Sequence, residues 1–392
     1  MKTAITNGRI ISGAKLLPEG LVLVIEDGKI EEVRYGVPAG AEVIDAEGCY
    51  VSPGFIDIHT HGAGGADFMD GTVDAYLTAA RMHARHGTTL LFPTTLTSTN
   101  EALFDSFSTY ERAACLAGKD GASFGGMHLE GPFFAPEMAG AQDPRYLRDP
   151  QPEEYMEILS RTSHIARWSF APERPGSAEF VAELSRRRII ASIGHTNATF
   201  SDCDAAFRAG CRLMTHFYSC MSTITRRNAY RYAGAIEYGY WQDGMRIEII
   251  ADGIHVPADL LKLVLKIKGP GRICLVTDSM RAAGMPEGPS ILGGLEGGQE
   301  VIVEDGVAKL TDRSAFAGSV ATADRLVRTM VKEAGVSIPE AVMMITSNPA
   351  KVMKISARKG NMALGKDADI VIFDDNICIQ RTIVDGKTIF VR

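Results

Sequence analysis

The 392-residue chain has no Cys-x-x-Cys spacing, and its seven cysteines, at 49, 115, 203, 211, 220, 274 and 378, are scattered and odd in number. That pattern argues for reduced thiols in a cytoplasmic protein and against a disulfide framework. No apolar run approaches the roughly 20 residues that a helix needs to cross a bilayer. The opening "MKTAITNGRII" lacks the charged region, apolar core and cleavage site of a signal peptide. Basic charge is not in excess either: 41 Lys and Arg stand against 48 Asp and Glu, interspersed, for a net charge of −7. A nucleic-acid partner would call for a concentrated basic face. Low-complexity tracts and solenoid repeats are also missing. What remains is a soluble globular chain, 45% hydrophobic, of a length that suits two domains or one large α/β barrel with an accessory piece.

The two ends read as strands. "LVLVIEDGKIEEV" places Asp27-Gly28 between two β-prone runs, and "TIVDGKTIF" repeats the device at Asp385-Gly386. Neither end has enough strands for a core, so a small β-sandwich built from both termini is expected, residues 1–52 with 353–392. Between them, over residues 53–352, β-type runs alternate with helical ones. The runs end near His59, Thr95, Glu130, Glu173, His195, His216, Asp252 and Asp278, eight in all. That alternation predicts an α/β fold, a (β/α)8 TIM-type barrel. The sixth repeat, "TRRNAYRYAGAIEYGYW", has no clean helical stripe, and "EVIVEDGVAKLTD" reads as an inserted hairpin around Asp305-Gly306.

In "GFIDIHTHGAGG" two histidines, His59 and His61, close an apolar run and are followed at once by glycines. On a strand, positions i and i+2 face the same side, so both imidazoles face one place, and glycines leave it open. In a TIM barrel the active site lies at the C-terminal ends of the strands. His59, His61, Glu130, His195, His216 and Asp278 all fall there. Singly, each has a structural explanation, such as an N-cap role for Asp278; chance placement of all six at one rim does not. His83, His86 and His164 are read as structural or solvated, and His128 as a satisfied histidine behind the site, turned away from Glu130's side.

The stretches "PGFIDIHTHG", "HLEGPFF", "IGHTNAT", "THFY", "ADGIHV", "LVTDSMRAAGMPEG" and "KGNMALGKDADIVIFD" span almost the whole chain. In this order they resemble the N-acetylglucosamine-6-phosphate deacetylase family of the amidohydrolase superfamily. The resemblance implies one divalent ion on Glu130, His195 and His216, and a second on His59 and His61 with Glu130 bridging. Zinc suits such ligands first, iron or cobalt also. It further implies Asp278 beside the metal as general base, and His255 as a substrate contact. A cytoplasmic homodimer is the usual form in the family.

The implied reaction is hydrolysis of N-acetylglucosamine 6-phosphate to glucosamine 6-phosphate and acetate. The recognition loops, however, depart from the family pattern. Where Asn-Ala-Met is usual the chain has Ser219, Cys220 and Met221, and where Arg-Glu-Pro-Gly is usual it has Arg227, Asn228, Ala229 and Tyr230. Arg227, with Arg226 and Arg231 nearby, is the candidate phosphate clamp. Gln142 stands where a histidine is usual. The same chemistry on another N-acyl substrate, such as N-acetylgalactosamine 6-phosphate, is therefore the alternative, with an inactive scaffold as the reading from another class.

Overall fold

The computed structural model describes residues 2–392. Barrel strand one, Phe55–Thr60, lies parallel to strand two, Thr88–Thr95. The ladder continues through Met127–Glu130, Ile165–Phe170, Ile190–Ile193, Leu213–Met214, Arg246–Ile249 and Ile273–Leu275, every pairing parallel. Strands eight and one meet through individual bonds instead of a ladder. Asp278 N donates to His59 O at 2.9 Å, His61 N to Ser279 O at 2.8 Å, and the Thr277 hydroxyl to the buried Asp57 carboxylate at 2.5 Å. This is the (β/α)8 barrel that the alternation predicts.

Alternation along strand one decides which side chains serve the site. Ile56 and Ile58 pack in an apolar cluster with Leu90 and Phe92, so Asp57 and His59 face the opposite side. Helices follow the strands, several with the expected caps: the Thr72 hydroxyl accepts from Ala75 N, and Thr199 with Asp202 forms a capping box. The sixth repeat lacks a helical stripe because it is two things. Thr225–Arg227 and Tyr230–Tyr232 form an exposed hairpin, turned by Asn228 and Ala229 at φ 47° and 70°, and only Ala235–Trp241 is helical. The insertion after strand eight is larger than a hairpin: Gly288–Leu292, Gln299–Glu304 and Val307–Leu310 form a three-stranded antiparallel sheet.

Both termini contribute to the accessory sandwich. One sheet of four strands comes from residues 2–45. The other has six strands and sets Ile370–Phe373 antiparallel to Tyr50–Pro53. Ile5, Leu23 and Ile25 from one end pack on Ile370, Ile372 and Ile383 from the other, so neither end could bury its core alone. Only Gly54 separates the sandwich strand Tyr50–Pro53 from barrel strand one, and a Cβ there would fall 2.1 Å from Thr89 Oγ1. No helix among the described residues is long and apolar enough to cross a membrane.

Candidate metal centre

The six rim residues converge. His59 Nε2 lies 3.3 Å from both Glu130 Oε1 and Asp278 Oδ1. His61 Nε2 lies 3.2 Å from Glu130 Oε2 and 3.1 Å from Asp278 Oδ1. His216 Nε2 is 3.1 Å from Glu130 Oε1 and 3.1 Å from His195 Nε2. Two groups follow, each with its donor atoms within 4.8 Å of one another: His59, His61 and Glu130, and Glu130, His195 and His216. Glu130 belongs to both.

The chemistry of these atoms fits a cation. Donors on a tetrahedral ion with bonds of about 2.0–2.1 Å stand about 3.3 Å apart, the spacing found here. The Nδ1 of His195 meets the Met138 carbonyl at 2.8 Å, which accepts only, so Nδ1 carries the proton and Nε2 presents a lone pair. That lone pair faces the Glu130 carboxylate and the His216 ring nitrogen. His59 repeats the arrangement, with Nδ1 3.4 Å from Glu248 Oε2 and a buried Nε2 that has no hydrogen-bond partner. Lone pairs aimed at carboxylates repel unless a positive charge lies between them.

In the absence of such an ion the carboxylates raise the proton affinity of the imidazoles beside them. Burial opposes a charged His61, but Asp278 and Glu130 outweigh it and lift its pKa to about 10; His59 rises to about 9 for the same reason. Burial likewise opposes ionised Glu130, yet His59, His195 and His216 hold its carboxyl well below the usual range. Asp278 is also lowered, burial being outweighed by His59 and His61. Three of the six residues sit in strained left-handed backbone: His195 at φ 47°, His216 at 25° and Asp278 at 48°. Neighbouring bonds hold them there. Ser319 N donates to Asp278 O at 2.7 Å, and Glu173 accepts from Thr196 Oγ1 at 2.5 Å and Asn197 N at 2.6 Å.

His61, Glu130, His195, His216 and Asp278 form the floor of a cavity of about 210 Å³, walled by Gln142, Ser219, Cys220, His255 and Phe316 among others, with His59 buried beneath. His255 is held by Asp252, whose Oδ2 lies 2.8 Å from Nδ1, and by the Phe316 ring at 4.6 Å; this leaves Nε2 for a ligand. Gln142 lines the cavity but is committed to the centre: its Nε2 donates to Glu130 Oε2 at 2.8 Å, and its Oε1 accepts from Thr97 N at 2.8 Å. No Lys or Arg is among the lining residues. Arg227 stands on the exposed hairpin with its guanidinium 5.6 Å from the Tyr232 ring, outside this wall, as do Arg226 and Arg231.

Over residues 50–389 the sequence matches the amidohydrolase family. The chain belongs to that family. Within it the chain sides with the N-acetylglucosamine-6-phosphate deacetylases. It is 33% identical over 375 residues to the deacetylase of that name from Lysinibacillus sphaericus, covering 93% of this chain and 92% of the relative. It is 32% identical over 366 residues to an N-acetylgalactosamine-6-phosphate deacetylase from Escherichia coli O157:H7, covering 93% of each. The crystal structure of N-acetylglucosamine-6-phosphate deacetylase from Pasteurella multocida is similar with a TM-score of 0.92 at 27% identity, covering 100% of both chains.

One expectation for this amidohydrolase is corrected. His128 does not turn away from Glu130's side: the two are i and i+2 on one strand and share a face. His128 lies edge-on to His59 with ring centroids 4.6 Å apart, its nitrogens bonded to Thr94 Oγ1 and Ser169 Oγ. His83 is structural, its Nε2 2.9 Å from Thr60 Oγ1, and His86 pairs with Asp324. Sequence reasoning missed Asp57, Arg167 and Glu248, all fully buried under the centre. The signal was available: "FIDI" and "IEII" each set one carboxylate among apolar neighbours inside a strand, and "ARW" sets one arginine there.

Proposed function

We propose that the chain is a metal-dependent hydrolase that removes the acetyl group from N-acetylglucosamine 6-phosphate, giving glucosamine 6-phosphate and acetate. The observation that carries this is the convergence of four imidazoles and two carboxylates, all but the buried His59 lining one cavity, in a chain of this family. Glu130, His195 and His216 would hold one divalent ion, zinc first by ligand type, and His59 and His61 a second with Glu130 between them. Such an ion, when bound, supplies a water that ionises near neutral pH and polarises the acyl carbonyl.

The rest falls to the protein. Asp278, lowered in pKa and within 3.3 Å of both strand-one histidines, takes the proton from the attacking water. As the C–N bond breaks, it returns that proton to the nitrogen, which departs as the amine. His255, fixed through Asp252, contacts the sugar or its acyl group. Ser219, Cys220 and Gln142 complete the wall, Gln142 chiefly by orienting Glu130. Residues 53–352 act as the catalytic barrel, with 1–52 and 353–392 as its accessory sandwich. A cytoplasmic homodimer belongs to the same reading: Tyr230, Ile224 and Trp241, all more than half exposed at the sixth repeat, are apolar surface that a second copy would cover.

A second substrate reading is favoured by one feature. The cavity wall carries no Lys or Arg, so phosphate recognition depends on the exposed hairpin, and the same centre suits N-acetylgalactosamine 6-phosphate or an N-acyl sugar without phosphate. Acetate release from the two phosphorylated sugars, assayed in parallel with zinc-loaded protein, tests this. Fast turnover of the glucosamine compound supports the first reading. Turnover of only the galactosamine compound transfers it to the second, and inactivity on every N-acyl sugar despite bound metal overturns both.

A further inference from the structure

Beneath the rim cluster the barrel interior contains a pair of opposite charges that touches neither cavity nor solvent. Arg167, from strand four, and Glu248, from strand seven, are both 0% exposed and form an ion pair. The guanidinium reaches across the barrel axis. Its Nε donates to Ser192 Oγ, one Nη to the Ile58 carbonyl and the other to Thr215 Oγ1, each at 3.0 Å. It is thus tied to strands one, five and six as well. Glu248 turns its second oxygen upward, where it lies 3.4 Å from His59 Nδ1 and accepts the His216 backbone N–H at 3.2 Å.

A buried ion pair is a poor way to gain stability. Well-packed apolar side chains of similar volume are commonly as stabilising or more so, because desolvation offsets the attraction. This pair does something an apolar pair could not. A carboxylate held by a guanidinium accepts hydrogen bonds and donates none. It therefore requires the proton of His59 on Nδ1 and the lone pair on Nε2, the nitrogen that faces Glu130 and Asp278. An imidazole with its proton on Nε2 could not ligate an ion there. His61 has no such partner, since its Nδ1 is buried and unpaired.

We infer that Arg167 and Glu248 are positioning residues that fix the tautomer and orientation of His59, and so set the affinity of the ion held by His59 and His61. The inference rests on the two-ion reading above. It distinguishes the two halves of the centre by what Glu248 touches: the ring nitrogen of His59, but only the backbone N–H of His216, while the His195 ring takes its orientation from the Met138 carbonyl, on a different loop.

The test is a titration of metal-free protein with Co2+, counting equivalents and following the visible absorption of each site. Glu248→Gln alone would leave Arg167 buried without a counter-charge, so the informative variant is Arg167→Met with Glu248→Gln, which removes both charges together. His61→Ala identifies which isotherm belongs to Glu130, His195 and His216. With cooperative melting retained, the double variant is expected to keep that ion within about threefold and to bind the other about 10–100-fold more weakly. Unchanged affinity at both sites, or equal loss at both, overturns the inference while leaving two ions standing. Uptake of a single equivalent by the wild-type protein overturns the two-ion reading itself, and the inference with it.

Discussion

Two clusters built around buried carboxylates have opposite characters in this molecule. At the seam between sandwich and barrel, Lys29, Arg358 and Lys359 face Asp367 and Asp369. Every charge there meets its opposite within the chain, and Asp369 also accepts from the Asp385 backbone N–H at 3.0 Å. At the rim, two carboxylates face four histidines, and in the neutral ring the nitrogens turned toward them offer lone pairs wherever the far nitrogen is fixed by Met138 or Glu248. The seam is complete as folded; the rim has the arrangement that an ion from outside would complete. A buried group that balances itself is architecture, and one arranged around a missing charge is a site.

The comparison is tested most severely at Asp278. Asp278→Asn keeps the side-chain volume and removes the base, so kcat should fall by about 10³-fold or more, within the range general acid–base catalysis supplies. Metal content should stay nearly intact, because Glu130 and the four histidines remain. Substantial residual turnover would remove Asp278 from its role. Chelation should come next: stripping the ions should abolish activity and lower the melting temperature, and excess zinc at 100 times its Kd should restore about 2.7 kcal/mol. If thermal stability ignores zinc, the rim balances itself as the seam does, and the contrast fails. A smaller effect is expected from Arg227→Ala, which should raise KM about 10-fold for the phosphorylated sugar and little for its unphosphorylated analogue; equal effects on both would show that this residue does not read phosphate.

Much of this was legible in the sequence because period and position carry it. Strand-like runs ending in His59, Glu130, His195, His216 and Asp278 gave both the barrel and the rim, since alternation fixes which side chains share a face. The sandwich was legible from two ends that each lack a core. What escaped was whatever depends on three-dimensional neighbours of distant strands. Arg167 and Glu248 are 81 residues apart and meet only across the barrel axis, and nothing in "ARWSF" names its partner. His128 was misplaced by a wrong count of the strand period, not by any lack of signal. Nor does the loop sequence around Gln142 reveal that its amide turns inward to Glu130.

The seam makes the smallest prediction and the sharpest control. Burial opposes ionised Asp367, but its bond to Lys29, with Lys359 and Arg358 close by, outweighs that and lowers its pKa to about 2, from an ordinary value of 3.8. A carboxyl whose folded pKa is depressed binds protons more readily when unfolded, so it stabilises the fold at pH above 3.8 and loses that contribution as pH falls toward 2. Asp367→Asn should therefore cost about 1.5–3 kcal/mol at pH 7, the scale of a hydrogen bond to a charged group. The gap between variant and wild type in urea melts should narrow below pH 4 or so, as the wild-type carboxyl gains its proton. Zinc should leave that gap unchanged at any pH where both proteins fold, because the seam shares no residue with the rim. A gap that widens in acid would put the proton on the wrong side of the balance, and one that responds to zinc would couple two clusters that the structure keeps apart.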